Sequence, residues 1–491
     1  MMTQTSDGLV IPEDPFGDGL HRFGCRLRAG QVSIQGALSA CLARAALLNP
    51  MLGAYVQVLA GSAMAQASHL DSLLQQRIDL GPLMGVPVAM KENFFVNGAD
   101  CRGGTPVDVS DILASEGEFI AALRRAGAIV IGITAMCELA MGGVGINLFR
   151  GTTRNPWDSR VARACGGSSN GSAVAVAAGL CGFAVGTDTG GSVRSPAAFT
   201  GVVGYKPTQS LWNRDGVLPL SESFDAIGTL ARSVEDTRLI CSVLATAVVS
   251  PFWTSGQWRI GYAVDEFESC APQVRQAIDR AIVQLRRLGA EFVPLSMPPA
   301  HSVDAFYEQR LRREFFSVYG QSRFDIEPRL ANPDVAGRIA RMRQENQTEP
   351  GHESLDTMSI AESIFSQCDV LMQPTKFHLA PTLPQRGDAQ ALLNIAELCK
   401  GPTRLANVFG LCAISLPVLE PESGLPVGLQ FSCAPGNDHR LMDFAGQAES
   451  AIGVMAAAPV SRFLRAAQVG VTRRWQGPDP SQRTSEEGHA H

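Results

Sequence analysis

Lysine is the scarcest charged residue in this chain, and its scarcity makes each lysine informative. The 491 residues include 41 lysines and arginines, of which only Lys91, Lys206, Lys376 and Lys400 are lysine. Arginine keeps its charge in proteins, whereas a buried lysine can lose its proton. A lysine that remains in so arginine-rich a chain is therefore a candidate for a role that needs a neutral amine.

Clustered cysteines and metal-ligand motifs are also missing. The 12 cysteines are scattered, with no C-x-x-C pair and no Cys/His cluster at zinc spacing. This pattern excludes a zinc-ribbon type of site and argues against the dense disulfide framework of a small secreted protein. We expect a reduced, cytoplasmic protein without a metal site.

The chain has no long apolar run and no excess of positive charge. Its longest apolar stretch, roughly residues 173–185, is too short and too rich in Ala and Gly to span a bilayer. The N-terminus lacks a signal-peptide pattern. The net charge of −6 offers no basic surface to nucleic acid or to an anionic membrane. We therefore expect neither nucleic acid nor a membrane as a partner. We expect a monomer or a homodimer in solution.

The order of helical and apolar segments is typical of an α/β protein. Ser33 is placed to cap a helix with apolar positions at the 3.6-residue period. Ser115 and Glu118 form a capping-box pattern, and Pro272 opens a third helix that ends at Gly289. The last two helices are followed by the short apolar segments AIVIGIT and EFVPL. This alternation predicts layers of helices and strands.

Two segments differ from this pattern. Residues 300–360 are rich in Arg and Glu and lack strand signals, which indicates a helical insertion or cap over the core. Residues 476–491 are polar and contain proline, which is typical of a disordered tail. We therefore expect one domain over residues 1–475, followed by that tail.

The most unusual stretch is 166–208, where two Gly-Gly-Ser clusters end at Ser168 and Ser192. An Ala/Val-rich helical segment and the short strand FAVGTD lie between them. Glycines before a serine allow backbone N–H groups to turn towards one point, as an oxyanion hole requires. Ser192 also precedes a predicted helix, whose N-terminus favours negative charge. One cluster could be a tight turn, but two at this spacing favour a nucleophilic site.

The same stretch allows a second interpretation. Residues 167–171 fit G-x-S-x-G, the nucleophile-elbow pattern, with Ser169 as the nucleophile. That mechanism needs a histidine downstream in a catalytic triad. The downstream histidines have no recognisable triad context, which makes this alternative the weaker one; they are His301, His352, His378, His439, His489 and His491.

Together these motifs resemble those of the amidase signature family. The family's blocks G-G-S-S-G-G-S and G-T-D-T-G-G-S-[IV]-R are similar to GGSSNGS at 166–172 and GTDTGGSVR at 186–194. Its lysine strand is similar to GVPVAMKEN at 85–93. Further matches, such as TRNPWD and GLPVGLQ, extend the resemblance over most of residues 30–450.

The resemblance implies a fold and a mechanism. The fold is an α/β core with a single large mixed β-sheet and helices on both faces. The activity is that of an amidohydrolase without a cofactor, in which Ser192 is the nucleophile and Lys91 the base. Ser168, after a cis peptide bond, passes the proton between them. The backbone N–H groups of the family's oxyanion hole correspond to those of Thr189, Gly190, Gly191 and Ser192. The residues that support the site in the family correspond to Ser169, Asp188 and Arg194.

Elementary electrostatics supports a neutral base at Lys91. A lysine in water has a pKa near 10.4, so only about one in a few thousand is neutral at pH 7. Lys91 stands at the end of the apolar segment GVPVAM. Burial in such a segment disfavours the charged form and lowers the pKa by up to several units.

The substrate pocket follows from the resemblance alone. The family lines its acyl pocket with the segment found here at 138–151. The glycines and apolar residues of that segment suggest a roomy, uncharged site, as do Phe199 and residues 374–405. Such a site favours aryl or alkyl amides over small polar ones. Carbamates (urethanes) and esters undergo the same acyl chemistry and remain alternatives. The predicted pocket residues are Met141, Gly142, Gly143, Val144 and Phe199.

Two rival functions belong to other classes. The same family supplies one component of the amidotransferase complex for tRNA-dependent Gln and Asn synthesis. That subgroup typically has an A-S-S-L-D-Q type of stretch where this chain has PLSESFDAIG. A non-catalytic scaffold is the other rival, and the intact Lys91, Ser168 and Ser192 argue against it.

We predict that Ser192→Ala abolishes turnover and leaves the fold intact, because it removes the atom that bonds to the acyl group. Labelling with a sulfonyl fluoride, followed by peptide mass spectrometry, should identify Ser192. Label on Ser169 would instead support the nucleophile-elbow interpretation.

Overall fold

The computed structural model describes most of the 491 residues. The described residues are 2–4, 10–113, 115–244, 258–320, 323, 330, 332–348, 354–384 and 389–468. The predicted tail, 476–491, lies outside them.

The described chain alternates helices with short strands. The strands are β1 Met2–Gln4, β2 Val10–Pro12, β3 Tyr55–Val58, β4 Pro87–Lys91, β5 Ile129–Thr134, β6 Phe183–Asp188, β7 Val203–Lys206, β8 Ala226–Ala231, β9 Arg259–Ala263, β10 Glu291–Leu295, β11 Val370–Pro374, β12 Cys412–Leu419 and β13 Pro426–Cys433. The helices are α1 Leu20–Arg28, α2 Ile34–Leu52, α3 Ala60–Gln75, α4 Glu118–Arg125, α5 Asn170–Ala177, α6 Arg194–Thr200, α7 Val234–Leu244, α8 Val264–Glu268, α9 Pro272–Arg286, α10 Ala300–Tyr319, α11 Pro333–Thr348, α12 Thr357–Gln367, α13 Ala389–Leu398, α14 Arg404–Val408, α15 Asp438–Ile452 and α16 Ser461–Gln468.

Eleven strands form one sheet, in the order β10-β9-β11-β13-β12-β7-β8-β6-β4-β5-β3. Its pairings are mixed: β4 is parallel to β5 and β6, whereas β12 and β13 are antiparallel. Every residue of β4, β5, β6, β8 and β13 is buried. Since successive side chains of a strand point to opposite faces, both faces of the sheet are covered. The predicted α/β fold with one large mixed sheet is confirmed.

The helix boundaries test the local predictions. The Ser33 Oγ accepts a hydrogen bond from the Gly36 amide at 3.0 Å and caps α2, as predicted. The capping box of Ser115 and Glu118 is wrong, because Gly117 is the N-cap of α4 and makes no side-chain cap. A Cβ at Gly117 would lie 1.7 Å from the Asp215 carbonyl oxygen, so the approach of that loop sets the helix start.

The segment predicted as an insertion contributes α10, α11 and the start of α12. These helices and the neighbouring loops share a second apolar cluster, which is separate from the main core. This second cluster includes Leu311, Phe315 and Ile339. Phe224 stacks on Tyr307 of α10, with ring centroids 5.0 Å apart. The segment therefore packs against the loop that follows β7.

None of the helices in the described ranges is both long and apolar enough to span a membrane.

The contact between α5 and the sheet depends on a glycine. A Cβ at Gly171 would lie 2.4 Å from the Ala54 carbonyl oxygen and 2.5 Å from the Ala135 nitrogen. Both neighbours are backbone atoms, so neither can rotate away. A β-carbon at this position would push the helix away from the start of β3 and the end of β5.

We predict that Gly171→Ala lowers the free energy of unfolding by about 1–3 kcal/mol, the usual cost of overpacking. Gly337→Ala is the control, because a Cβ in the middle of α11 would meet nothing within 4 Å. It should instead stabilise the protein by about 0.5–1 kcal/mol. Urea unfolding measures both changes, and equal effects would contradict the packing argument.

Candidate active site

A large cavity opens beside the loop that follows β6. Its volume is about 830 Å³, and Thr189, Gly190 and Ser192 form part of its wall. Ser192 is partly exposed, whereas Val193 and Arg194 behind it are buried. Ser195, three residues further on, also lines this space but is buried, so Ser192 is the more accessible of the two serines.

Lys91, at the end of β4, is fully buried below that loop. Its Nζ lies 2.8 Å from Ser168 Oγ and 2.8 Å from Thr187 Oγ1, with the Thr187 carbonyl oxygen at 3.4 Å. The parallel pairing of β4 with β6 brings Lys91 and Thr187 to the same edge of the sheet. Burial lowers the pKa of Lys91 to about 7.

Ser168 and Ser192 lie on two loops that are joined by backbone hydrogen bonds. The Gly167–Ser168 peptide bond is cis, the arrangement that the family resemblance implied. The Ser169 amide donates to the Ser192 carbonyl at 3.1 Å, and the Cys137 amide donates to the Ser168 carbonyl at 3.1 Å. The first bond holds the two serine loops against each other, and the second ties the Ser168 loop to the segment that follows β5.

The predicted oxyanion amides are not equivalent. The Gly191 amide donates to Asp188 Oδ1 at 2.8 Å, and Gly191 does not line the cavity. The Asp188 carboxylate already accepts this donor, so Gly191 is the least available of the predicted oxyanion residues. The amides of Thr189, Gly190 and Ser192 are not taken up by another hydrogen bond in the part of the chain that the structure describes.

Asp188 and Arg194 form a fully buried ion pair behind the loop, with Nη2 and Oδ1 2.8 Å apart. Burial alone would raise the pKa of Asp188, but the Arg194 guanidinium holds it well below its usual range. Arg194 also donates to the Thr403 carbonyl at 2.9 Å and to Gln430 and Asn407 at 2.6 Å. The pair thus ties the Ser192 loop to α14 and β13.

Ser169 lies where a nucleophile would have no access. It is fully buried and does not line the cavity. Its Oγ donates to the Thr187 carbonyl at 3.3 Å. No described histidine contacts it, so the geometry of a nucleophile elbow is absent from the described residues.

The predicted pocket residues divide into two groups. Gly142 and Gly143 line the cavity, whereas Met141, Val144 and Phe199 do not. Met141 and Phe199 are buried in apolar clusters behind the wall. The sequence suggested an uncharged cavity, and this prediction is wrong. The cavity wall includes four acidic and four basic residues: Asp265, Glu266, Asp304, Glu308, Arg338, Lys376, Lys400 and Arg404.

Sequence reasoning missed several polar groups at the site. Asn93 Nδ2 donates to Thr187 Oγ1 at 3.0 Å, and Thr403 Oγ1 donates to the Gly190 carbonyl at 2.7 Å. Asn93 and Thr187 both lie inside the motifs that were recognised, so their position beside Lys91 and Ser192 was a usable signal. Thr403 falls within the predicted pocket region 374–405, but it lies more than 200 positions from Gly190 and no local pattern indicated their contact.

Within the described ranges, no group of three or more His, Cys, Asp or Glu side chains is arranged to hold a metal ion.

We predict that Arg194→Met lowers the free energy of unfolding by about 3–5 kcal/mol, because it leaves the Asp188 carboxylate buried without its partner. Arg275→Met is the control, since its pair with Asp279 is largely exposed. That change should stay within about 0.5 kcal/mol. Urea unfolding of both variants tests the claim, and a loss below about 1 kcal/mol for Arg194→Met would refute it.

Comparison with known proteins gives this arrangement its family context. Residues 36–442 match the Amidase family. The chain is 32% identical over 444 residues to a 2-amino-5-chloromuconic acid deaminase of Comamonas testosteroni, covering 88% of this chain and 96% of the relative. It is 31% identical over 463 residues to a glutamyl-tRNA(Gln) amidotransferase subunit of Symbiobacterium thermophilum, covering 85% and 93%.

Solved structures agree. A crystal structure of an amidase superposes with a TM-score of 0.77 at 30% identity, covering 88% of this chain and all of that one. Since both the sequence match and the fold extend over most of the chain, the protein belongs to the amidase signature family of hydrolases.

Proposed function

We propose that this protein hydrolyses carboxylic amides through an acyl-enzyme on Ser192, with Ser168 as the relay and Lys91 as the neutral base. The observation that carries the proposal is the 2.8 Å contact between the buried Lys91 Nζ and Ser168 Oγ. A neutral amine has two N–H bonds and one lone pair. The two oxygens of Thr187 accept the N–H bonds, which leaves the lone pair for the Ser168 hydroxyl.

The first half of the reaction forms the acyl-enzyme. The Ser168 hydroxyl passes its proton to Lys91 and takes the proton of Ser192, whose Oγ bonds to the carbonyl carbon. The negative charge that develops on the carbonyl oxygen faces the amides of Thr189, Gly190 and Ser192. The C–N bond then breaks, and the proton returns through Ser168 to the leaving nitrogen.

The second half releases the acid. A water molecule attacks the acyl carbon and gives a proton to the same relay, and the Ser192–acyl bond breaks as Ser192 Oγ takes the proton back. Ser168 and Lys91 end in their starting states. The products are a free amine and a carboxylic acid, with no net proton left on the enzyme.

Small aryl or alkyl amides are the substrates that we favour. Apolar wall residues such as Ala140, Leu220 and Leu405 can pack against such a group. Carbamates and esters are the alternatives, because their carbonyl carbon is attacked in the same way. Comparing kcat/KM for matched anilides, carbamates and p-nitrophenyl esters separates these possibilities.

A component of a glutamine-dependent amidotransferase is the second candidate, because the chain is 31% identical to such proteins. The PLSESFDAIG stretch and the net charge of −6 favour a free-standing hydrolase instead. The deaminase relative is also consistent with hydrolytic release of an amino group. Release of ammonia from glutamine only in a complex would favour the amidotransferase.

We predict that Lys91→Arg is nearly as inactive as Lys91→Ala, because guanidinium keeps its charge and cannot accept the Ser168 proton. The loss in kcat should be at least about 10²-fold. In the unmodified enzyme, kcat/KM should rise with pH through about 7, because the neutral base forms as pH passes the lowered pKa of Lys91. Activity should be low in acid and level off in mild alkali.

Circular dichroism and melting temperatures of both variants serve as the control for folding. A Lys91→Arg enzyme within a few-fold of the unmodified rate would refute the neutral base, even with an intact Ser192 nucleophile. A pH profile that falls as pH rises through 7 would do the same.

A further inference from the structure

A second buried lysine lies in the wall of the same cavity. Lys376 follows β11 directly and is 4% exposed. Its Nζ donates to the Cys399 carbonyl and lies 5.9 Å from the centre of the Phe199 ring. Neither of these neighbours can neutralise an ammonium group by ion pairing.

The other basic residues of the cavity wall are paired. Arg404 binds Asp304 and Glu308, Arg338 also binds Glu308, and Lys400 at the rim binds Glu397. Lys376 has no carboxylate partner among the described residues. A buried charge is costly unless it is paired, so a charged Lys376 needs a counter-charge. The described residues do not supply one, and a ligand in the cavity could.

The amine is connected to the proposed oxyanion loop through a short segment. Its acceptor, Cys399, is followed four positions later by Thr403, whose Oγ1 donates to the Gly190 carbonyl at 2.7 Å. The Phe199 ring beneath the amine belongs to α6, the helix that begins two residues after Ser192. Lys376 and Ser192 therefore face the same cavity from neighbouring parts of its wall.

We propose that Lys376 binds a carboxylate on the acyl part of the substrate, so that the enzyme prefers amides of dicarboxylic acids to neutral amides. This inference rests on the proposed function and names its substrate class. No ion pair joins Lys376 to the other carboxylates of the wall, Asp265 and Glu266, so the substrate carboxylate supplies the counter-charge that the contacts of Lys376 do not provide. A charge-assisted hydrogen bond of this kind is stronger than one between neutral groups and selects strongly against analogues without the charge.

The test uses matched pairs of p-nitroanilides. Succinyl, glutaryl and adipyl anilides carry a terminal carboxylate, and butyryl, pentanoyl and hexanoyl anilides are their neutral counterparts. The ratio of kcat/KM within the best pair measures the preference for the carboxylate. In the unmodified enzyme, kcat/KM for the carboxylate substrate should be about 10-fold or more above that for its neutral counterpart.

Three variants separate the charge of Lys376 from its packing. Lys376→Met keeps the length of the side chain without the charge, and should lower the ratio by about 10- to 100-fold. Lys376→Arg keeps the charge and should retain most of the preference. Lys400→Met removes an exposed positive charge from the rim of the same cavity and should leave the ratio unchanged, because solvent screens it.

The pH dependence gives a second readout. Burial lowers the pKa of Lys376 to about 8, so the amine is charged below that pH and loses its charge above it. For the carboxylate substrates, kcat/KM should fall as pH rises above about 8, while the neutral substrates keep their plateau. Lys376→Arg should abolish that fall. The other charged or titratable groups that act on the amine are Cys399, Arg194, Arg404 and Asp188.

The outcomes distinguish this inference from the proposed function. A ratio that Lys376→Met does not change, in a folded variant that still cleaves neutral anilides, overturns the carboxylate site and leaves the hydrolase intact. Loss of both activities with a lowered melting temperature would mean that methionine disturbs the fold. In that case Lys376→Arg is the deciding variant. If Lys376 has only a structural role, Lys376→Arg should lower kcat/KM equally for the carboxylate and the neutral anilides. If the enzyme cleaves no anilide and no other amide, the proposed amide hydrolysis is refuted as well.

Discussion

The burial of the Lys91 amine is the constraint on which the rest of the site depends. An ammonium ion in this position would lose its water shell, and burial accordingly lowers the pKa of Lys91 to about 7. The fold makes the neutral amine acceptable by placing three oxygen atoms around it, two from Thr187 on the neighbouring parallel strand and one from Ser168. The wide mixed sheet, covered on both faces, provides the depth that keeps water away from this strand end.

A buried charge is accommodated in the opposite way at Asp188, the residue that follows Thr187. Asp188 and Arg194 are both fully buried and both charged, and each satisfies the other. The carboxylate also accepts the amides of Gly191 and Val193, at 2.8 and 3.0 Å, so it shapes the loop that carries Ser192. The same bond removes Gly191 from the cavity wall. A pair that organises the loop has thus also determined which amides remain free to bind an oxyanion.

Much of this could be predicted from the sequence where the determinants are contiguous. The strand FAVGTD and the helix capped by Ser33 follow from local patterns, and the approach of Lys91 to Ser168 was implied by the family resemblance. The capping box at Ser115 failed because a distant loop, at Asp215, decides where α4 begins. Thr403 lies in the predicted pocket region 374–405, but its contact with the Ser192 loop depends on sheet order and not on any local pattern. The tail at 476–491 stays a prediction.

The character of the cavity was the largest departure, and its cause is general. Glycines and apolar residues near Met141 suggested an uncharged pocket, but much of the wall comes from α10 and the segment before α14, where charged side chains pair across elements. Ion pairs include five of the eight charged side chains of the wall, and composition does not reveal that the three without an ion pair in the described part of the chain are Asp265, Glu266 and Lys376. Lys376 is the basic residue of the wall without a carboxylate partner among the described residues. Lys91 and Lys376 then place opposite demands on one cavity. In the proposed reaction the first acts as a neutral amine and the second as an ammonium ion. Burial lowers the pKa of both, which favours the role of Lys91 and makes the role of Lys376 dependent on a carboxylate from the substrate.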